Sequence, residues 1–110
     1  MPKFLFEAQY SPDGLRGLAT DGAAKRQRDV KAAFKSLGGK VESFYFSFGD
    51  NDAVVIVDLP DNAAAAAGSI MAALTGSTTV RTTPLLTMEE ADSAIQKAKG
   101  ARYRPPGGDA

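Results

Sequence analysis

The chain has neither histidine nor cysteine anywhere in its 110 residues. Histidine is the one side chain that titrates unperturbed near neutral pH, and it is the commonest metal ligand and a frequent haem ligand. A Ser-His-Asp triad, a histidine-ligated zinc ion and a histidine-ligated haem are therefore excluded within this chain. Lack of cysteine removes disulfides, thiolate nucleophiles and zinc–thiolate sites, and a reducing cytoplasm is the expected setting. Charge of one sign is also missing. Thirteen basic side chains balance thirteen acidic ones, so no global field draws in nucleic acid or an anionic membrane. No run approaches the roughly 20 apolar residues of a membrane span, and no apolar stretch follows a basic N-terminal segment. Neither a membrane nor an export signal is expected. No G-x-G-x-x-G or G-x-x-x-x-G-K-[ST] motif occurs, which leaves a nucleotide loop unsupported. Any catalysis would fall to carboxylates, Lys, Tyr or a bound cofactor, and the sequence calls for no cofactor and no metal.

What is present is ordinary for a globular domain: 44% hydrophobic and 24% charged residues. The length suits one modest core. We expect one domain over residues 1–99. Residues 100–110, which have no periodicity, are expected to form a mobile tail. Residues 3–10, KFLFEAQY, alternate with period two, so Phe4, Phe6 and Ala8 share one face and Leu5, Glu7 and Gln9 the other. Ser11-Pro12-Asp13-Gly14 reads as turn chemistry. A loop is expected to about Gly22, with Thr20 or Asp21 capping a helix over 22–37. Val30, Phe34 and Leu37 form that helix's apolar stripe, and Gly38-Gly39 ends it.

Strands are expected over 41–48 and 53–59, joined at Gly49-Asp50-Asn51-Asp52. In the first, Phe44, Phe46 and Phe48 are expected to oppose Val41 and Tyr45. Pro60 ends the second, and Asp61 caps an alanine-rich helix over 62–75. In that helix Gly68 costs roughly 1 kcal/mol of propensity relative to alanine. A fourth strand follows over 78–86, with Pro84 at an edge or end. Thr87 and Glu90 form a capping box for a helix over 88–99 that turns Ala91, Ala94, Ile95 and Ala98 inward.

This order is β-α-β-β-α-β plus a C-terminal helix, the ferredoxin-like α+β arrangement with a four-stranded antiparallel sheet. Two helices cover one face of such a sheet. Yet Val54 and Ile56 point one way while Val55, Val57 and Leu59 point the other. A sheet covered on one side alternates cleanly to polar. Something must shield the second face. A second copy packed sheet to sheet across a two-fold axis is the economical answer; the alternative folds helix 88–99 back over it.

The stretch YFSFGDNDAVVIVDLPD at residues 45–61 resembles the GYD-domain family of dimeric α/β-barrel proteins. Tyr10, Pro12 and Gly14, the Gly38-Gly39 pair, and Val80-Arg81-Thr82 extend the likeness over most of the chain. Asn51 stands where the family has an aromatic, while Gly49 and Asp52 remain, so no role here rests on a tyrosine at that turn. The resemblance implies a ferredoxin-like subunit and a sheet-to-sheet homodimer. It implies no activity; cofactor-free monooxygenases, haem enzymes and isomerases among related barrels are analogies of fold.

In such a dimer the space between the sheets is the natural pocket. Glu7, Gln9, Tyr45, Asp58 and Arg81 are its candidate polar lining. Arg81 could bind an anionic ligand or merely neutralise the carboxylates. Glu7 or Asp58, if desolvated, could act as a base. The bland alternative is an interface network of salt bridges and hydrogen bonds. Asp50 and Asp52 offer oxygen ligands to a hard cation, but no further ligand is placed by sequence, so a plain hairpin turn is expected, with Asp52 bonding its own turn backbone. Residues 22–40 carry Lys25, Arg26, Arg28, Lys31, Lys35 and Lys40 against Asp29 alone. A solvated basic face is the expected reading. The RNA-binding RRM domains share this topology, but they need aromatics on exposed strands, and AVVIVDL has none. No nucleic-acid partner is expected. Three functions stay open: a small-ligand-binding or assembly module, a cofactor-free enzyme acting on a small aromatic or acidic metabolite, and a regulatory module of the ACT or PII kind.

Overall fold

The computed structural model describes residues 1–108; the last two residues of the expected tail lie outside them. The chain is an α+β ferredoxin-like domain. Its elements are β1 (Lys3–Tyr10), α1 (Pro12–Asp21), α2 (Ala23–Ser36), β2 (Lys40–Phe46), β3 (Ala53–Asp58), α3 (Asn62–Leu74), β4 (Thr78–Leu85) and α4 (Met88–Gly100). The strands form one four-stranded sheet in the order β2-β3-β1-β4, and every neighbouring pair runs antiparallel. No helix among the described residues is long and apolar enough to cross a membrane.

The core follows from period two. Phe4, Phe6, Val55, Val57 and Leu59 are buried together on one face, and Phe34 of α2 and Ala65 of α3 close over them. The Phe6 and Phe34 rings meet at 4.8 Å between centroids. Gly68 explains itself here. A Cβ on it would sit 3.1 Å from the Phe34 ring and 3.3 Å from the Phe6 ring. The helix gives up propensity at this position so that two rings can reach it.

Four expectations need correction. Residues 12–21 are a helix, not a loop. The Ser11 hydroxyl accepts from the Gly14 N–H at 3.1 Å, with Pro12 at the start of the first turn, so the supposed turn is a helix cap. Neither Thr20 nor Asp21 caps α2; that position is Gly22, whose φ of 85° suits glycine. In β2, the register shifts between Val41 and Ser43. This bulge puts Val41 on the core side with Phe44 rather than opposite it. The strand stops at Phe46, and Phe48 is fully exposed.

The fourth correction concerns α4. Its capping box forms as expected, with Glu90 N–H on the Thr87 hydroxyl at 3.1 Å and Thr87 N–H on the Glu90 carboxylate at 3.0 Å. Yet it buries none of its residues, and Ile95 is 50% exposed. It packs extensively on no other described element. The second face of the sheet is therefore left open by every described element, α4 included.

Candidate functional site

Sheet register decides which side chains share the open face. Leu5 pairs with Ile56 and Thr83, and Glu7 pairs with Val54 and Arg81. Gln9 pairs with Thr79, Tyr45 with Val54, and Lys3 with Asp58. All five sequence-nominated residues, Glu7, Gln9, Tyr45, Asp58 and Arg81, thus lie on the side away from the helices. An apolar strip of Leu5, Val54 and Ile56, each only part-exposed, runs between them.

Sharing a face does not bring all five together. Glu7, Gln9 and Arg81 line one concave recess of 270 Å³ with Thr79 and Asn51. Asp58 lies at the other end of the sheet, bonded to Lys3 at 2.7 Å; Glu42 reaches the same ammonium at 3.2 Å. The hydrogen bond that Lys3 donates to Asp58, then the one to Glu42, raises its pKa above the ordinary 10.5. Tyr45, on the far side of β3, is 70% exposed and outside the recess.

Folding of the hairpin connection over the end of β1 builds the recess. Asp52 N–H donates to the Ala8 carbonyl at 2.8 Å. The Asp52 carboxylate accepts from the Tyr10 N–H at 2.8 Å. It binds a neighbouring strand, then, and not its own turn as the sequence suggested. The Gln9 amide donates to the Asp50 carbonyl, and Asn51 Nδ2 donates to the Glu7 carboxylate at 2.8 Å. Asn51 is therefore a site residue that sequence reasoning set aside. Its signal was available: it replaces an aromatic in a turn that otherwise keeps its pattern. Thr79 joins the recess through its register with Gln9. Among the described residues no three carboxylates gather to hold a cation.

The chemical content of the recess is a carboxylate steadied by an amide, facing a guanidinium. Arg81 has no carboxylate oxygen within salt-bridge distance among the described residues. Its fork of N–H donors stays available for a planar acid group.

A family model, the GYD domain, matches residues 4–95. The chain belongs to the GYD-domain family. That match spans β2, β3, β4, all of β1 but Lys3, and most of α4, and so includes each of the recess residues. No curated protein shows a significant match to this GYD domain.

Proposed function

We propose that this GYD domain is a small-ligand-binding module that works as a homodimer packed through its open sheet faces. One observation carries the reading. The strip of Leu5, Val54 and Ile56 lies on a face that no described element covers, and polar groups with unused hydrogen-bonding capacity stand beside it. A second sheet would bury the strip and close the recess of Glu7, Gln9, Asn51, Thr79 and Arg81 from above. Helix α4, which has no extensive packing on any other described element, would extend that contact through Ala91, Ala94 and Ile95. The ligand is a small polar metabolite with an acid group for Arg81 and a hydrogen-bond donor for Glu7. A cytoplasmic setting suits a chain without cysteine. Membrane and nucleic acid are not among the proposed partners.

An enzymatic role for Asp58 is the less economical reading, because Lys3 and Glu42 already occupy its surroundings at the other end of the sheet. Thermal-shift screening of the full chain against small amino and hydroxy acids tests the proposal. A binder raises Tm at concentrations above its Kd, and Arg81→Gln abolishes that rise without lowering the Tm of the free protein. Absence of any binder would sink the ligand reading. Turnover of a binder would replace it with the enzymatic one.

A further inference from the structure

On the other side of the sheet, α2 and α3 do not close the core completely. A cavity of 100 Å³ remains between them and the strands. Its lining includes Phe6, Phe34, Phe44, Val55, Val30 and Met71, so its body is apolar and aromatic. Small side chains cause the gap: Ala33 of α2 and Ala72 of α3 face it, beside Gly68. The volume is of the order of the apolar cavities, about 150 Å³, that admit a benzene molecule.

The rim of this cavity is polar and unbalanced. Tyr10, Arg26 and Asp29 stand there. Arg26 Nε donates to the Tyr10 hydroxyl at 3.1 Å, and its guanidinium carbon lies 5.3 Å from the centre of the Tyr10 ring. Two contacts thus fix the plane of the guanidinium. The carboxylates nearby are engaged elsewhere, since Asp29 and Asp21 both pair with Lys25, at 3.2 and 3.5 Å. Among the described residues no carboxylate reaches Arg26. Half-buried, held in orientation and lacking a counter-ion, its terminal N–H groups match the two oxygens of a carboxylate.

We infer that this cavity is a second ligand site, for a small monocarboxylate with a single ring or a short branched chain. The apolar group enters the cavity against the packed Phe6–Phe34 pair and Met71, and the carboxylate stays at the rim on Arg26. The site lies on the opposite face of the sheet from the Glu7–Arg81 recess. It needs no second subunit, so it stands or falls independently of the homodimer.

The test is an NMR titration of the full chain with benzoate and with benzamide, its neutral isostere. Benzoate is expected to shift the signals of Phe6, Phe34, Met71 and Arg26 saturably, and benzamide to bind about tenfold more weakly. Arg26→Gln brings benzoate down to the benzamide level. Ala72→Leu, which fills the cavity, removes binding of both; should that variant fail to fold, the Arg26→Gln comparison decides alone. Equal affinities for the two probes would overturn the inference, as would unchanged benzoate affinity in Arg26→Gln. So would benzoate shifts confined to the Glu7–Arg81 recess, or the lack of a saturable shift by about 20 mM, beyond the range expected for so small a ligand.

Discussion

The two faces of the sheet are made from alternate residues of the same strands, yet they are finished differently. On the covered face, Phe4, Phe6, Val55, Val57 and Leu59 are at most 4% exposed. They owe this to two helices whose small residues let the rings approach. On the open face, Leu5, Val54 and Ile56 are equally apolar in type but only partly sheltered, and charged groups flank them. Burial by the chain itself explains the first face, apart from the cavity left beside Ala33, Gly68 and Ala72. For the second it explains the two ends of the central strands, where Lys3 binds Asp58 and Asn51 binds Glu7, but not the apolar strip between them. The difference teaches that the chain's own helices finish one face, while the apolar centre of the other is left without a cover among the described residues; the proposed dimer would supply one.

That contrast can be broken at several strengths. Phe6→Ala strikes the covered face and removes a ring from a packed pair. It should cost about 3–5 kcal/mol of unfolding free energy in urea titrations, a large share of the stability of so small a domain. Ile56→Asp strikes the open face instead. Sedimentation should show the dimer dissociation constant rising about a hundredfold, while the dissociated subunit keeps its fold. If Ile56→Asp unfolds the subunit as Phe6→Ala does, the distinction between the faces fails. Gly68→Val tests why the helix tolerates a glycine. The added atoms meet the Phe6 and Phe34 rings, and about 1–3 kcal/mol should be lost by the same urea assay despite the removal of glycine.

Smaller effects sharpen the comparison. Arg81→Gln should change stability by no more than about 0.5 kcal/mol, because Arg81 has no ionic partner among the described residues to lose. Calorimetric unfolding would show this. Lys3 contributes to stability in the opposite pH sense from a carboxylate. Its folded pKa is raised above 10.5, chiefly by the Asp58 hydrogen bond. The stabilisation is complete below the unfolded value and disappears as pH climbs through the folded one. The small Tm advantage of the native chain over Lys3→Met should therefore hold up to the ordinary value of 10.5 and vanish in stronger alkali. Its side chain is 41% exposed, so added salt should shrink the advantage as well.

The strands were legible because alternation is a direct record of burial, and the β1 and β3 patterns translate residue for residue into the observed faces. Helix ends were legible where a side chain supplies the cap, as at Asp61 and Thr87. Helix α1 was not, because Ser-Pro-Asp-Gly serves a turn and a helix start equally well. The helix buries none of its residues, and its apolar stripe of Leu15, Leu18 and Ala19 is too short to stand out from a loop. Helix α4 misled in the opposite way. Its alanines and Ile95 have inward-facing spacing, but sequence spacing names a face and not what lies against it. For the site, strand alternation placed Glu7, Gln9 and Arg81 on one face, and register brought them together. The same alternation could not show that Asp58 would sit at the far end with Lys3. Asn51 entered the recess through the path of a loop, and the cavity at Arg26 through the spacing of two helices. Neither leaves a periodic trace.

Sedimentation velocity on the native chain at micromolar concentration tests the central claim most directly. A species of twice the 11.5 kDa chain mass, reduced to single chains by Ile56→Asp, is the expected result. A native chain that stays folded and runs at the single-chain mass would contradict it, leaving the greasy centre of the open face without a purpose.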